Sequence, residues 1–588
     1  MPRATRHPEA LGYAALALAT GAAFAICLDH RFLNWDDPFL LEANGPLRRF
    51  ELGPLLRQVT IGIWHPVTLL VLALEHRAFG LDPFAFHLTS VLLHGANALL
   101  AVLLLRHALG LEPAVAFLAG ALFALHPLHV EAVAWVAERK ELLASAFTLL
   151  SLLAWSRFAE TRRAAWYAGC ALALALALLS KPMAVTAPLV MLLLDHHRGR
   201  PFSLVAKLPL FALALAVGLG SLFTQAPTEG ERFAIFSLSP LQRLGLAFES
   251  LAFYTSKLLF PPPQSAYYDI DLVRVEPFRW ALAALVLLAL GAASARRPGA
   301  GNAARFGLLF YLATLAPVAK LVPFGGNSLF NDRYAYLPSL GLLLALALPF
   351  GPLLRRGARG RIPALVGAGL LLAVLGGQTR GYARVWRDSE ALWSDVLAKF
   401  PGTSLALNHL GRHYLDAQGD LERSLALFEA ALRARPESLA PLLNLAEVRG
   451  RRGELAAAEE GYRRALALAP DQMEARRRAG RFYLESGRPA QAVEQLEAAR
   501  ERWPEQPQLH QELGQAYRAL GQVGRARAAY ERALALSPGE GELWVALGDL
   551  YLEQHQLREA LQHYELAARL GVAVDAEQVA ELRRRLAR

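Results

Sequence analysis

Apolar segments long enough to cross a bilayer fill the chain up to about residue 378 and do not occur in the rest of the sequence. A spanning helix needs roughly 20 apolar residues, and short clusters of arginine and histidine separate these segments. The remaining residues are rich in Arg, Glu and Ala. Because 588 residues exceed what one core holds, at least two domains are expected. The sequence therefore predicts an all-α protein, with a polytopic membrane domain followed by a soluble helical domain.

The basic clusters also predict a topology, since short loops rich in Lys and Arg stay on the cytoplasmic side. They put the N-terminus inside and the soluble half outside, with about eleven spans between them. They also explain much of the net charge of +10, so no nucleic acid partner is expected. The predicted spans cover residues 11–28, 85–108, 112–126, 141–158, 164–180, 182–195, 203–223, 278–294, 304–321, 335–353 and 361–377.

Two apolar stretches, 64–80 and 244–260, do not fit this alternation. Each is interrupted by charge or flanked by prolines. We interpret both as helices that lie along the outer surface of the membrane. The first belongs to an outer loop at residues 29–84 of the membrane domain, which we assign to residues 1–380.

The soluble half repeats itself every 34 residues. An alanine precedes each repeated proline by five positions, and a large apolar residue lies three positions before that alanine. This pattern resembles the tetratricopeptide repeat, in which two antiparallel helices recur with this period. The repeated prolines are Pro436, Pro470, Pro504 and Pro538.

We assign residues 402–572 to the repeat array, 573–588 to a polar capping helix and 381–401 to half a repeat that joins the array to the membrane domain. The first copy has one extra residue between Gly411 and Ser424, which we place in its inter-helix turn. The array has only two asparagines, so a ladder that grips an extended peptide is not expected. Its groove is expected to dock a protein partner or a second copy.

The outer loop contains two adjacent carboxylates in the sequence Asn34-Trp35-Asp36-Asp37. Ionisable groups at a bilayer face beside a spanning bundle are candidates for function. The alternative is structural, because Asp37-Pro38 has the residue types that cap a short helix.

Carboxylates, cations and histidines from separate segments fall on the same outer side, which is what a catalytic pocket requires. Lys181 and Arg333 could instead be interfacial anchors. His126 and His129 have a spacing seen in metal sites, and Glu131 adds a third ligand type. No other motif completes such a site, so no metal ligand is assigned and a divalent ion stays open as a cofactor.

An ordered set of motifs resembles the transmembrane and tetratricopeptide-repeat glycosyltransferases, in their bacterial form. The resemblance implies a C-type glycosyltransferase fold that takes a sugar from a polyprenyl-phosphate carrier on the outer face of the membrane. It implies the bacterial inner membrane, with the repeats on the periplasmic side. Animal members are protein O-mannosyltransferases, whereas for bacterial members the acceptor, a protein hydroxyl, glycan or lipid, stays open. The motifs are NWDD at 34–37, HPVT at 65–68, FAFHL at 84–88, HPLHVEAVAW at 126–135, ERKELL at 138–143 and DRYAYLP at 332–338.

Asp36 and Asp37 match the acidic pair of that family, Lys181 matches a Ser-Lys element, and Asp332-Arg333 match an acidic and basic pair before a late span. Two positions depart from the family pattern. Pro182 stands where relatives often have Glu. The sequence Arg139-Lys140-Glu141 stands where animal members tend to have Arg-Ala-Asp, so Glu141 keeps the acidic role on a longer side chain.

The transfer chemistry then assigns roles. An acceptor hydroxyl is a poor nucleophile, so a carboxylate must take its proton; we assign Asp36 as the base and Asp37 as its support. The departing phosphate needs its charge balanced, and Lys181 and Arg333, with Arg139 as a third, are assigned to it. The residues expected at sugar or acceptor hydroxyls are Glu141, His126, Glu131 and Asp332.

Two other functions compete with this reading. A non-catalytic membrane scaffold would recruit envelope-assembly partners through the repeats, but it gives no reason for charges to gather on one face. A transporter of lipid-linked glycans would want charges along a path through the bilayer, whereas most charges here sit at the ends of apolar segments.

Overall fold

The computed structural model describes residues 6–201, 204–224, 239–261, 263–269, 280–281, 284–285, 288, 291–292, 300–321 and 330–587. The chain forms two compact units, Met1–Pro401 and Gly402–Arg588. The described residues are overwhelmingly helical. Their one hairpin pairs strand β1 (Val59–Thr60) with β2 (Ile63–Trp64), Val59 opposite Trp64. The all-α prediction is confirmed.

The α-helices of the first unit are numbered in chain order over the described residues. The helices before residue 200 are α1 Arg6–Phe24, α2 Gly45–Arg48, α3 Leu52–Arg57, α4 Pro66–Phe79, α5 Pro83–Leu103, α6 Pro113–Leu125, α7 Val130–Ala134, α8 Arg139–Thr161, α9 Ala164–Ser180 and α10 Ala187–His197. The later ones are α11 Leu208–Thr224, α12 Pro240–Leu259, α13 Ala300–Leu315, α14 Tyr336–Ala347, α15 Phe350–Leu354, α16 Ala358–Ala383 and α17 Ser389–Lys399. Helices α5, α6, α8 and α14 pack together in the core of this unit.

Among the described residues, five helical segments are long and apolar enough to span a membrane, and a pair bent by 52° makes a sixth if it counts as one span. The sequence predicted about eleven. Several predicted spans form helices too short to cross, such as α10 with 11 residues and α14 with 12. The predicted span 278–294 lies largely outside the described residues. The candidate spans are Glu9–Asp29, Pro83–Ala108, Val136–Thr161, Val205–Thr224 and Ala358–Trp386, and the bent pair is Pro113–Leu125 with Pro127–Ala134.

The two stretches expected along the outer surface form helices α4 and α12. Their position at the membrane surface stays a prediction.

The bend after α6 exposes carbonyl groups that a continuous helix would satisfy. Three side chains donate to them: the nearby His129 Nδ1 to Phe123 O at 2.6 Å, and the distant His94 Nε2 to Ala124 O at 3.0 Å and Thr379 Oγ1 to Leu125 O at 2.7 Å. An unsatisfied carbonyl away from water is costly, so these bonds permit the helix to break inside the bundle. The irregular stretch that follows carries Glu131 and Glu138, two of the charged side chains of the site.

In the second unit, helices α18 to α27 form five antiparallel pairs and α28 follows them. The predicted helical repeats are confirmed. The helices are α18 Ser404–His413, α19 Leu421–Ala434, α20 Leu439–Arg451, α21 Leu455–Leu468, α22 Met473–Glu485, α23 Pro489–Arg502, α24 Pro507–Ala519, α25 Val523–Leu536, α26 Gly541–Glu553, α27 Leu557–Arg569 and α28 Ala576–Ala587.

The extra residue of the first repeat is not in the inter-helix turn, where the sequence placed it. Helix α18 continues into a π-helical segment, Tyr414–Gln418, which ends at Gly419 with a φ of 64°. A π turn takes up one residue more than an α turn. The insertion is therefore absorbed at the end of the first helix, and the following turn keeps the geometry of the other copies.

Gly514 lies where α24 approaches α25 closely. A Cβ atom there would be 2.5 Å from Tyr530 Cε1, and the Tyr530 ring is buried. We expect Gly514→Ala to lower the free energy of unfolding by about 1–3 kcal/mol, because the ring has to move. Gly524→Ala in α25 is the matched control: nothing lies within 4 Å of its Cβ position. It should be neutral or stabilising by up to about 1 kcal/mol. Thermal unfolding of the purified chain checks this, and equal losses in both variants would contradict it.

Candidate active site

The two carboxylates of the acidic pair have different surroundings. Asp37 is buried; its Oδ2 accepts from Leu33 N at 2.9 Å and its Oδ1 from Ala137 N at 3.0 Å. It therefore joins the stretch around residues 34–37, called the acidic loop here, to the stretch before α8. Asp36 is half-buried, and its carboxylate makes no hydrogen bond or ion pair with the described part of the chain. Asp36 is thus free to accept a proton, whereas Asp37 is engaged.

Burial raises the pKa of both carboxyl groups. The pKa of Asp37 rises to about 7, through burial and the neighbouring charge of Asp36, against the two backbone hydrogen bonds. The pKa of Asp36 is also raised by burial, and the positive charges of Lys140 and Arg333 oppose that effect. A raised pKa makes an aspartate a stronger base near neutral pH. Because Lys140 and Arg333 affect the pKa of Asp36, this carboxylate lies near the group of charged side chains to which they belong.

That group centres on Glu138 and is called here the Glu138 cluster, meaning Glu138, Lys140, Lys181 and Arg333. Lys140 Nζ lies 3.0 Å from Glu138 Oε1, Lys181 Nζ 3.1 Å from Oε2, and Arg333 Nε 3.1 Å from Oε1. All four side chains are at most 13% exposed. Three cations from separate parts of the chain thus converge on one carboxylate.

Two further carboxylates pair with cations of the Glu138 cluster. Glu141 Oε2 accepts from Lys181 Nζ at 2.7 Å. Glu131 pairs with the guanidinium of Arg333 and accepts from its backbone N at 2.9 Å. The structure therefore brings Lys181, Arg333, Glu131 and Glu141 together, as the sequence expected.

Aromatic rings line the cluster. The guanidinium of Arg333 lies 5.3 Å from the ring centre of Trp135 and 5.2 Å from that of Tyr334. Trp135 is stacked on Trp35 with 4.4 Å between ring centres. Cations over aromatic faces are stabilised most where water is excluded. These rings connect Arg333 to the residue that directly precedes Asp36.

The cations keep their charge despite burial. Burial alone would lower the pKa of Lys181, but Glu138 and Glu141 raise it above its ordinary value. The pKa of Arg333 is likewise raised, because Glu131 and Glu138 outweigh the burial. Both side chains are therefore expected to be positively charged at neutral pH.

Arg139 is not part of this cluster. It is fully buried, pairs with Glu75, and donates to Phe86 O and to Ser90 Oγ, the latter at 3.3 Å. These contacts join α8 to α4 and α5. The placement favours a structural role over the phosphate-binding role that the sequence assigned.

Asp332 and His126 are also engaged elsewhere. Asp332 is fully buried and accepts from Lys257 Nζ at 3.0 Å and from Tyr268 OH at 2.9 Å. His126 is buried; its Nε2 donates to Leu258 O at 3.2 Å, and its Nδ1 accepts from Leu128 N at 3.2 Å. These bonds favour positioning roles for both residues over direct contact with a sugar.

Glu138 and Lys140 were not singled out from the sequence, although their segment was. The 3₁₀ turn Val136–Glu138 leads directly into α8. Residues three apart on a helix lie on one face, so Glu138 and Glu141 share a face, whereas Arg139 turns about 100° away from Glu138. The spacing of the two glutamates was the signal that would have found Glu138.

Arg139→Met should lower the free energy of unfolding by about 3–5 kcal/mol, because the buried Glu75 loses its partner. Adding Glu75→Gln should recover most of that loss and leave the KM for a sugar donor within about twofold of the parent. Thermal unfolding and donor kinetics of both variants check this. A donor KM raised tenfold or more in the double variant would restore the phosphate-binding role.

Among the described residues, no group of three or more His, Cys, Asp or Glu side chains could hold a metal ion. His126 is engaged as described above. His129 is bonded to Phe123 O and, at 2.9 Å, to Ser339 Oγ. His129 therefore supports the helix break, and His126 caps the turn that follows it.

Residues 65–222 match the family of dolichyl-phosphate-mannose-protein mannosyltransferases, and residues 375–438, 451–516 and 507–550 match tetratricopeptide repeat families. The mannosyltransferase match includes Glu131, Glu138 and Lys181 but ends before Arg333 and begins after Asp36. The chain is therefore similar to mannosyltransferases in its first unit and to tetratricopeptide repeats in its second unit and the segment just before it.

The relatives are protein O-mannosyl-transferases. Tmtc1 of Drosophila melanogaster is 26% identical over 545 residues, covering 73% of this chain and 62% of the relative. Tmtc3 of Drosophila melanogaster is 25% identical, covering 72% of this chain and 54% of the relative. TMTC2 of Mus musculus is 37% identical over 128 residues, covering 21% of this chain and 15% of the relative. The resemblance to the transmembrane and tetratricopeptide-repeat glycosyltransferases is confirmed, although the chain spans less than two thirds of the length of these relatives.

A solved structure of Pseudomonas aeruginosa pilF aligns with 30% of this chain and 79% of its own at 26% identity, with a TM-score of 0.28. At that TM-score, the assignment of the repeats rests on the sequence families and on the helix pairs themselves.

Proposed function

We propose that this protein transfers a sugar from a polyprenyl-phosphate carrier to an acceptor hydroxyl on the outer face of the membrane, with inversion at the anomeric carbon. The observation that carries the proposal is the carboxylate of Asp36, which makes no bond with the described residues and lies near Lys140 and Arg333 of the Glu138 cluster. A base and a set of phosphate-binding cations are the two parts that this transfer requires. Mannose is the proposed sugar, because the relatives are named as mannosyltransferases.

Asp36 acts as the general base. The acceptor oxygen attacks the anomeric carbon and its proton passes to Asp36, while the bond from that carbon to the phosphate oxygen breaks on the opposite face. Asp37 supports the step by fixing the loop through its two backbone hydrogen bonds. The neighbouring negative charge also makes it harder for both carboxyl groups to be ionised, which favours a basic carboxylate.

Lys181 and Arg333 stabilise the departing polyprenyl phosphate, and Lys140 takes the third place that the sequence gave to Arg139. Charge-assisted hydrogen bonds to phosphate are strong, and buried cations give this stabilisation without reorganising water. Glu138 keeps the three cations together, while Glu131 and Glu141 fix Arg333 and Lys181 from outside. For Glu131 and Glu141 this holding role is better supported than contact with a sugar.

The repeat array is proposed to bind the acceptor or a protein that presents it, and to lie on the extracytoplasmic side of a bacterial inner membrane. The two units are joined in one chain, so an acceptor held by the array stays at high effective concentration near the membrane domain. The acceptor is proposed to be a protein hydroxyl, as for the relatives named as protein O-mannosyl-transferases.

A donor panel tests the proposal. The purified full-length chain in lipid nanodiscs is given labelled mannose, glucose and N-acetylglucosamine, each as a polyprenyl phosphate and as a nucleotide sugar. We expect release of sugar from a polyprenyl phosphate only. Release from the nucleotide sugars alone would overturn the donor class. No release from any donor by the folded protein would favour the scaffold function.

A further inference from the structure

The half repeat that the sequence assigned as a linker contacts the acidic loop. This segment, called the clamp here, consists of a 3₁₀ turn at Arg384–Trp386 and helix α17. Asn34 N donates to Ser389 Oγ at 2.9 Å, and Trp393 Nε1 donates to Asn34 Oδ1 at 2.8 Å. The clamp therefore holds both the backbone and the side chain of Asn34, two positions before Asp36.

The clamp also contacts Trp35, the residue between Asn34 and Asp36. Trp35 stacks on Trp135 and lies 4.9 Å from Trp393, between ring centres. Trp135 and Trp393 are at most 1% exposed, so both rings are enclosed by the surrounding protein. On the other side of Asp36, Asp37 is bonded to two backbone amides. Asn34, Trp35 and Asp37 are thus each held through their side chains, whereas the carboxylate of Asp36 bonds to no residue that the structure describes.

We propose that Ser389 and Trp393 are positioning residues for sugar transfer: through Asn34 and Trp35 they hold the carboxylate of Asp36 at the Glu138 cluster. This inference rests on the proposed function, because it needs Asp36 to be the base. A catalytic group that is displaced by about 1 Å can cost on the order of a hundredfold in rate. A loop carrying a catalytic group keeps its geometry only when neighbouring residues are locked by packing and hydrogen bonds.

Two variants weaken the clamp, one by the loss of a hydrogen bond alone and one by the loss of a hydrogen bond together with part of the packing on Trp35. Ser389→Ala removes the acceptor for Asn34 N, and Trp393→Phe removes the indole N–H while keeping an aromatic ring. Ser394→Ala is the matched control, because Ser394 lies on the exposed side of the same helix. We expect Ser389→Ala and Trp393→Phe to lower kcat by about 10- to 100-fold while the KM for the lipid donor stays within about twofold, and Ser394→Ala to leave both unchanged.

Hydrogen exchange gives a readout that does not depend on activity. Amides of residues 31–37 should exchange faster in Ser389→Ala and Trp393→Phe than in the parent and in Ser394→Ala, with the rest of the membrane unit unchanged. Unchanged exchange in both variants would overturn the clamp. Faster exchange with an unchanged kcat would overturn its role in positioning the base. A parent protein that releases no sugar would overturn the proposed function itself, whatever the exchange data show for the loop.

Discussion

Asp36→Asn is expected to lower kcat for sugar transfer by about 10²- to 10⁴-fold, the range that a positioned general base contributes. Asn has nearly the shape of Asp but cannot take the proton of the acceptor hydroxyl. The fold should not change, because the carboxylate of Asp36 makes no bond with the described residues that the variant would lose. Initial rates of transfer and the thermal unfolding of parent and variant are the measurements.

Asp29→Asn is the matched control for that variant. Asp29 is exposed, lies seven positions earlier in the same stretch of chain, and should transfer sugar at the parental rate. The pH dependence gives a second check. A base must be ionised, and the pKa of Asp36 is raised by burial, so the parental rate should fall as the pH drops through that raised pKa. The residual rate of Asp36→Asn should lack this acid limb. An acid limb that persists in the variant would assign the base to another group.

Arg333→Met is expected to have two large effects. The free energy of unfolding should fall by about 3–5 kcal/mol, because Glu131 is fully buried and loses the guanidinium that neutralises it. The KM for a polyprenyl-phosphate donor should rise at least about tenfold, because a charge-assisted contact to its phosphate is lost. Methionine keeps much of the apolar contact with Trp135, so the loss reports chiefly on charge.

A second substitution separates the two effects of Arg333→Met. Adding Glu131→Gln removes the unpaired carboxylate and should recover most of the stability, while donor use stays impaired. Thermal unfolding of the single and double variants measures the stability, and donor kinetics measure the use of the polyprenyl-phosphate donor. Parental donor affinity and turnover in the double variant would reject the phosphate-binding role of Arg333, and failure to regain stability would reject its pairing with Glu131.

The sequence predicted the helical classes of both units because the signals are local. Apolar segments and a 34-residue period need no knowledge of distant contacts. The span count was less predictable: α10 and α14 are as apolar as a span but end after 11 and 12 residues. The π turn after α18 was not predicted either. The sequence shows that the first repeat has one extra residue, but not whether that residue lies at the end of the helix or in the following turn.

The roles of the charged residues of the site were also only partly predictable from local sequence patterns. The segment at 138–141 was recognised, but not which of its two cations pairs with Glu138, so Arg139 was assigned to the phosphate instead of Lys140. The path of the chain into this segment begins at the break after α6, where His94, His129 and Thr379 donate hydrogen bonds to the freed carbonyls. Two of these partners, His94 and Thr379, are far from the break in the sequence, so no local pattern predicts it. By contrast, Asp36, Lys181 and Arg333 were found because each stands at the end of an apolar segment.

The most direct measurement is the release of labelled mannose from polyprenyl-phosphate mannose by three purified full-length proteins: the parent, Asp29→Asn and Asp36→Asn. If Asp36 is the base of a lipid-phosphate-dependent glycosyltransferase, the first two release mannose at the same rate and the third is slower by about two orders of magnitude or more. Equal release by all three would contradict the assignment of the base. No release by the folded parent would contradict the proposal that this protein is a glycosyltransferase.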